Sequence, residues 1–170
     1  MSAVEMSSAM DQIGFPGKTN IRWLCEGDAG ALKRACYPDT PLEDVQDYVT
    51  WCLHPSRQSW IARLVVEVDG EVVGNAQLTV WDQVGEIGSV VVVPAYRRQG
   101  LARRLITALT AEAQARGLAE LEIWVRQDQP AIVAFYRRMG FLPCQAQKNG
   151  LSHPACPEPA IRLRMQLRSR

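Results

Sequence analysis

The chain has 170 residues, of which 47% are hydrophobic and 22% charged, the balance of a single folded domain. Its 19 basic and 18 acidic residues leave a net charge of +1, whereas a nucleic-acid-binding domain is usually strongly basic. No apolar run approaches the roughly 20 residues of a membrane-spanning helix, and residues 1–17 lack the regions of a signal peptide. These properties argue against a bulk polyanion partner and predict a cytoplasmic protein that binds neither nucleic acid nor a membrane.

Cysteine and histidine are too dispersed to form a recognisable metal or disulfide site. The five cysteines include no C-x-x-C pair, and the two histidines, His54 and His153, lie far apart in the sequence. We therefore expect free thiols and no metal. Gly17-Lys18-Thr19 looks like the end of a phosphate-binding loop, although Gln12 stands where that loop has its first glycine. Nucleotide binding through this tripeptide is an alternative that a rise in melting temperature with ATP would support.

The first part of the chain predicts a tail followed by a strand and two helices. Residues 1–19 have no periodicity, and residues 20–170 are expected to form one domain. A strand candidate at 21–25 leads into the first short helix. The second helix is predicted to begin at Thr40-Pro41-Leu42-Glu43, where Thr40 at the N-cap and Glu43 at the N3 position form a capping box.

The middle of the domain predicts a sheet, and the second half alternates helices with strands. Apolar and β-branched residues indicate three consecutive strands at 60–68, 71–81 and 86–93. The third ends in four valines, a continuous apolar run that indicates a strand covered on both faces. The remaining elements are helices at 100–116 and 130–139 and strands at 121–125, 141–144 and 161–167. This order predicts a mixed α/β fold around one twisted sheet.

The junction between the valine strand and the next helix has the features of an anion site. The first-turn N–H groups of a helix lack partners within the helix, and the small residues Gly100 and Ala102 let a ligand approach them. Four arginines surround this point without an acid among them: Arg97, Arg98, Arg103 and Arg104. The pattern favours a discrete anion such as a pyrophosphate, although a charged run can also be a solvated helix face.

The segment Arg97-Arg98-Gln99-Gly100-Leu101-Ala102 resembles the [Gln/Arg]-x-x-Gly-x-[Gly/Ala] motif of the GNAT superfamily of acyl-CoA-dependent N-acyltransferases. It lies between the valine strand and a leucine-rich helix, and residues 131–141 resemble the family's downstream signature, which ends in Y-x-x-x-G-F. The resemblance implies a mostly antiparallel mixed sheet of six to seven strands flanked by about four helices. It also implies transfer of an acetyl group from acetyl-CoA to a primary amine, by direct attack in a ternary complex.

The resemblance further implies which residues bind the cosubstrate acetyl-CoA. The backbone of Val90, Val91 and Val92 would pair with the pantetheine arm, because in the family this strand splays from the next one. The pyrophosphate would be bound mostly by backbone N–H groups, in a site that comprises Arg97, Arg98, Gln99, Gly100, Leu101, Ala102 and Arg103. Gln129 falls where the family often has an asparagine near the pantetheine.

Amine attack on a thioester needs a neutral amine, a donor for the oxyanion and a proton for the leaving thiolate. By resemblance, Tyr136 is the acid that protonates the thiolate, although it also lies on the apolar stripe of its helix and could be a core aromatic. We expect the oxyanion donor to be a backbone N–H of the valine strand, that of Val92.

Glu86 is the candidate base, since its offset from Arg97 matches the catalytic glutamate of the family's histone-acetyltransferase branch. Simple alternation places Glu86, Gly88, Val90 and Val92 on one face of the strand, and Gly88 leaves room for substrate or water. A surface glutamate beside a turn is the alternative interpretation. Ser89 is a further candidate for holding a relay water.

The acceptor is expected between the two early helices and the last strands. That region holds the aromatic residues Tyr37, Trp51 and Trp60 and the acids Asp39, Glu43, Asp44 and Asp47. An acidic rim attracts a cationic amine, but such carboxylates also stabilise a helix N-terminus. Polyamine-like metabolites, aminoglycoside-type amines, amino acids and protein amines all stay open, as does the choice between monomer and homodimer. The alternative to an enzyme is a non-catalytic acyl-CoA-binding or regulatory module on the same fold.

Overall fold

The computed structural model describes residues 17–144 and 160–167. Most of the predicted tail, the stretch 145–159 and residues 168–170 lie outside the described residues. The described strands are β1 (Thr19–Trp23), β2 (Ile61–Val68), β3 (Glu71–Trp81), β4 (Val84–Val92), β5 (Glu120–Arg126), β6 (Leu142–Pro143) and β7 (Ala160–Gln166). The described α-helices are α1 (Ala29–Ala35), α2 (Leu42–Leu53), α3 (Leu101–Ala115) and α4 (Pro130–Arg138).

All described strands belong to one sheet, in the order β1-β2-β3-β4-β5-β7-β6. Neighbouring strands are antiparallel except for β4 and β5, which are parallel and connected through α3. The long connection follows from the direction of the strands, because parallel neighbours need a crossover that returns the chain to the same edge. A mixed, mostly antiparallel sheet of seven strands with four helices confirms the predicted architecture.

Different helices cover the two faces of the sheet, here called the α3 face and the α2 face. On the α3 face, the leucines that recur every four residues along α3 are buried against the strands: Leu101, Leu105 and Leu109. On the α2 face, Leu32 of α1 and Val45 of α2 pack against β2. β2 is therefore covered on both sides, which explains its nearly continuous apolar sequence.

The predicted capping box at the start of α2 is wrong. Pro41 has a non-helical backbone (φ −53°, ψ 145°) and occupies the N-cap position, so the helix begins at Leu42. Thr40 consequently lies one residue too early to cap it. The exposed acids Glu43 and Asp44 still lie in the first turn, where they interact favourably with the helix dipole.

The described cysteines carry free thiols, as predicted: Cys25, Cys36, Cys52 and Cys144. Cys156 lies outside the described residues. None of the helices in the described ranges has the length and hydropathy needed to span a bilayer. The same ranges contain no group of three or more His, Cys, Asp or Glu side chains that could hold a metal ion.

Candidate active site

The parallel strands β4 and β5 separate in the middle of the sheet. They pair over residues 84–86 and 120–122, and their remaining halves, which are fully described, do not pair with each other. We call the space between these halves the β4–β5 gap. Beyond Glu86, β4 has no paired strand among the described residues on the β5 side. Three of the four valines at 90–93 are accordingly only partly buried. The prediction that this strand is covered on both faces is therefore wrong.

A β-bulge in β4 lies beside the gap. Gln77 of β3 is opposite Gly88, and Asn75 is opposite Val91, so β4 contains one extra residue over this stretch. Ser89 adopts a φ of +51° there. Residues directly opposite each other share a face of the sheet. The bulge therefore places Val91 on the face that carries Gly88.

This shift overturns the prediction that Glu86, Gly88, Val90 and Val92 share one face. Val91 takes the position opposite Asn75, on the α2 face, that simple alternation assigned to Val90. Val92 is instead buried in the core of the α3 face, and Val90 packs against the same core. The reason is that one additional residue in a strand reverses the inward and outward order of all residues that follow.

The backbone of Val92 points into the gap. The amide of Val93 donates to the carbonyl of Val73 on β3 at 2.8 Å. Since backbone direction alternates along a strand, the N–H and C=O of Val92 point away from β3, whereas those of Val91 point toward it. The Val92 carbonyl accepts a hydrogen bond from Nε of Arg97 at 2.9 Å. Arg97 thus uses part of its guanidinium within the protein.

The loop after β4 presents backbone N–H groups at the start of α3. Arg98 (φ +64°) and Gly100 (φ +81°) have left-handed backbones, a curvature typical of anion-binding nests. Gly100 is the N-cap of α3, and the Arg104 amide donates to its carbonyl at 3.0 Å. This is the first hydrogen bond of the helix. The backbone N–H groups of Leu101, Ala102 and Arg103 therefore have no partner within the helix.

Two further predicted cosubstrate residues, Gln99 and Gln129, occupy different parts of this edge. Gln99 donates through Nε2 to the carbonyl of Ala95 at 3.3 Å, which holds the loop together. Gln129 is the exposed N-cap of α4 and follows the end of β5 at Arg126. Because β4 and β5 are parallel, their C-terminal ends lie at the same edge of the sheet. Gln129 therefore lies at the edge where the gap opens.

Glu86 lies on the α2 face at the point where β4 and β5 begin to separate. Its neighbours across the sheet are Thr79 on β3 and Glu122 on β5. Trp81 donates from Nε1 to Oε2 of Glu86 at 3.2 Å, which orients the carboxylate. Two residues further along β4, a Cβ added to Gly88 would meet nothing within 4 Å. Open space therefore lies beside Gly88, next to the carboxylate.

Tyr136 lies on the opposite, α3 face of the sheet. It is 5% exposed, and its ring packs edge-on against Phe135 and Phe141 at centroid distances of 5.0 and 5.8 Å. Burial raises the pKa of its hydroxyl above the usual range, so the group keeps its proton at neutral pH. The buried cluster that contains Tyr136 also includes Val92 of β4 and Val125 of β5. Tyr136 and Glu86 thus lie on opposite sides of the sheet that contains the gap.

Similarity to known proteins agrees with this geometry. Residues 21–141 match the family model described as the acetyltransferase (GNAT) family. The chain belongs to the GNAT family. An acetyltransferase of Yersinia pseudotuberculosis is 35% identical to it over 78 residues, which are 46% of this chain and 55% of that protein. The chain therefore spans about half the length of the curated relatives that it matches.

Solved GNAT structures share the fold of this chain. The ribosomal-protein-S18-alanine N-acetyltransferase of Escherichia coli is similar with a TM-score of 0.68 and 23% identity, over 88% of this chain and 94% of that one. The PaiA N-acetyltransferase of Thermoplasma acidophilum, solved in complex with coenzyme A, has a TM-score of 0.63 and 15% identity, over 88% and 99%. At these identities the likeness concerns the fold alone, and it confirms that this chain has the GNAT fold.

On the α2 face of this GNAT domain, four aromatic rings form a row. Tyr48 stacks on Trp51 at 5.6 Å, Trp51 contacts Trp60 at 5.7 Å, and Trp60 contacts Trp81 at 6.4 Å. The row ends beside the candidate base, since Trp81 hydrogen-bonds it. The structure brings together the predicted residues Trp51 and Trp60, and the sequence analysis missed Tyr48 and Trp81. The acids predicted for this region are all exposed, and they are Asp39, Glu43, Asp44 and Asp47.

A buried polar cluster on the α2 face was also missed. Arg63 of β2 donates to Asn75 and Gln77 of β3, and the hydroxyl of Tyr37 donates to Asn75 at 2.9 Å. Only Tyr37 was predicted to lie in this region. The available signal was an arginine flanked by apolar residues in β2, because such a residue must be buried with polar partners.

Proposed function

We propose that the chain is an N-acetyltransferase that moves an acetyl group from acetyl-CoA to a primary amine by direct attack in a ternary complex. The observation that carries the proposal is the β4–β5 gap, with Tyr136 on one face of the sheet and Glu86 on the other. Such a gap allows two substrates to meet from opposite faces. The match to the acetyltransferase (GNAT) family and the similarity to a Yersinia acetyltransferase support the same class of reaction.

The residues around the gap fit the cosubstrate, which supplies the acetyl group as an activated thioester. The backbone of Val92 offers an N–H to a chain that runs through the gap. The N–H groups at the start of α3 and the exposed side chains of Arg98 and Arg103 suit a pyrophosphate. Gln129, at the open end of the gap, is a further candidate for a contact to the pantetheine.

The proposed mechanism divides the proton transfers between the two faces. On the α2 face, Glu86 accepts a proton from the acceptor ammonium, directly or through a water that Ser89 holds at the bulge. The neutral amine then attacks the thioester carbonyl, and the N–H of Val92 donates to the oxygen on which charge develops. On the α3 face, the C–S bond breaks as Tyr136 donates its proton to the leaving sulfur, because a free thiol has a pKa of about 8.5 and gains from protonation at neutral pH. The nitrogen of the new amide and Glu86 each release one proton to solvent, and the Tyr136 phenolate takes one up, which restores both groups.

Replacing Gly100 with alanine is expected to raise the Kd for acetyl-CoA by about tenfold, the effect of roughly 1.4 kcal/mol. A left-handed backbone at φ +81° costs alanine about 1–2 kcal/mol, so the loop relaxes and its N–H groups lose their alignment. Calorimetric titration with acetyl-CoA measures the change. Gly70→Ala, in the β2–β3 turn at φ +85°, imposes similar strain far from the gap and should leave the Kd unchanged.

The experiment that tests the function is an acceptor screen. Calorimetry first establishes whether acetyl-CoA binds in the micromolar range, and release of free thiol is then followed with amines of each class. Binding together with amine-dependent thiol release supports the enzyme. Binding without release for any amine would favour the non-catalytic acyl-CoA-binding module. If no CoA ester binds, both functions are wrong.

A further inference from the structure

The guanidinium of Arg63 is a buried cation whose hydrogen-bond partners are all neutral. Arg63 is 4% exposed. It donates from Nε to Oδ1 of Asn75 at 3.1 Å and from Nη1 to Oε1 of Gln77 at 3.2 Å, and Nη2 donates to the hydroxyl of Tyr37. In the described part of the chain, no carboxylate forms an ion pair with it.

The ion pairs of Arg22 show which kind of partner Arg63 lacks. Arg22, on the neighbouring strand β1, pairs with both Asp28 and Glu67 at 2.7 Å. A buried charge without a counter-charge is strongly unfavourable, and proteins normally avoid it. The cluster around Arg63 therefore lacks a carboxylate partner of the kind that Arg22 has.

Asn75 adds a second unsatisfied group to the same cluster. It is 0% exposed, and its Oδ1 already accepts from Arg63 and Tyr37. Its Nδ2 has no hydrogen-bond partner among the described residues. The thiol of Cys36 is nearby, where burial raises its pKa and Asn75 and Arg63 oppose the shift, but sulfur is a weak acceptor. The cluster thus lacks an acceptor oxygen as well as a negative charge.

The position of the cluster connects it with the β4–β5 gap. Asn75 is directly opposite Val91, and Gln77 is opposite Gly88, beside which the space is open. Adjacent strands are about 4.8 Å apart, so Asn75 and Gln77 on β3 lie one strand away from the edge of the gap, and the side chain of Arg63 reaches across from β2 to both of them. The ring of Tyr48, which is itself exposed, covers the guanidinium at 4.9 Å. The hydroxyl of Tyr48 donates to Oε1 of Gln77 at 2.5 Å and its ring stacks on Trp51, so a ligand reaches Arg63 only when this side chain turns and gives up both contacts.

We propose that the acceptor is an amino carboxylate, whose carboxylate binds Arg63 and Nδ2 of Asn75 while its amine lies in the gap. This inference rests on the proposed acetyltransferase function and names the substrate class. A carboxylate supplies both missing features, since it carries the counter-charge and accepts hydrogen bonds from both donors. The short distance between the cluster and the gap suits an α-amino acid, in which few bonds separate the amine from the carboxylate.

The test compares L-amino acids with the corresponding L-amino acid amides and with putrescine, by following thiol release. The decisive variant is Asn75→Asp, because Arg63→Gln would leave several buried groups unbonded and the protein could fail to fold. The new carboxylate has the shape of the amide and supplies the counter-charge from within. We expect the ratio of kcat/KM for acid over amide to fall by at least about tenfold, as for a lost hydrogen bond to a charged group. The melting temperature, measured without substrates, should rise.

Arg22→Gln is the matched control, since it removes an arginine of the same face that is already paired. It should lower the melting temperature and leave the acid-to-amide ratio unchanged. Equal use of acids and amides by the wild type, or an unchanged ratio in Asn75→Asp, would overturn the inference. Acetylation of putrescine alone would also overturn it while supporting the acetyltransferase. Failure of acetyl-CoA to bind would instead refute the proposed function itself.

Discussion

Replacing Tyr136 with phenylalanine is expected to lower kcat by about 100-fold, the scale of a lost general acid. The ring contacts with Phe135 and Phe141 do not need the hydroxyl, so the variant should fold and bind acetyl-CoA with a similar Kd. Thiol release at saturating substrates measures kcat, and calorimetry measures the Kd. Tyr96→Phe, which removes the hydroxyl of a half-buried tyrosine after β4, should retain the wild-type kcat.

Tyr136→Phe is also expected to change how the melting temperature depends on pH in the alkaline range. Burial raises the pKa of Tyr136 in the folded protein above the value near 10 of an unfolded tyrosine. The stabilisation from this tightly held proton is therefore complete below about pH 10 and is lost as the pH rises further. The melting temperature of the wild type should fall more steeply above pH 10 than that of Tyr136→Phe. An unchanged kcat in this variant would assign Tyr136 to packing alone.

Glu86→Gln is expected to lower kcat/KM at neutral pH by about 100-fold or more, as for a lost general base. Glutamine keeps the size of the side chain and an oxygen that accepts from Trp81, so the substitution removes the basicity with little change in shape. The defect should shrink as the pH approaches the pKa of the acceptor amine, because neutral amine is then abundant. Initial rates over a range of pH measure both effects.

Glu112→Gln serves as the control for Glu86, since it removes a carboxylate that pairs with Arg116 on α3, away from the gap. Its rate should match that of the wild type at every pH. A Glu86→Gln variant within about threefold of the wild type at neutral pH, far below the effect of a general base, would identify Glu86 as a surface residue beside a turn. The base would then be sought at Ser89 and its water.

The acceptor region combines two electrostatic features that complement an amino carboxylate. The exposed acids Glu43, Asp44 and Asp47 lie on α2, and such acids attract an ammonium group. Arg63, buried in the same face, is the group that we propose to bind the carboxylate. The row of aromatic rings runs from Tyr48 on α2 to Trp81 beside Glu86, and it would offer an acceptor side chain an apolar surface.

The sequence alone was sufficient for the order and type of the elements. Helix α3 was predicted from leucines spaced by four residues, and β3 from alternation over residues 71–81, because both patterns reflect which side of a single element is buried. The motif from Arg97 to Ala102 was informative for a similar reason. A helix N-terminus and a glycine with positive φ are local features, so consecutive residues encode them.

The tertiary structure decided the positions that depend on pairing between distant parts of the chain. The bulge at Ser89 changes which valine lies on which face of the sheet, and it arises from the register of β4 against β3. The buried cluster of Arg63, Asn75 and Tyr37 joins residues that lie 12 and 38 positions apart. Local periodicity carries no information on such contacts, since a one-residue change in register exchanges the two faces of a strand. The sequence therefore predicted where acetyl-CoA is expected to bind. Only the folded sheet revealed the buried guanidinium of Arg63, on which the proposal of an amino carboxylate acceptor rests.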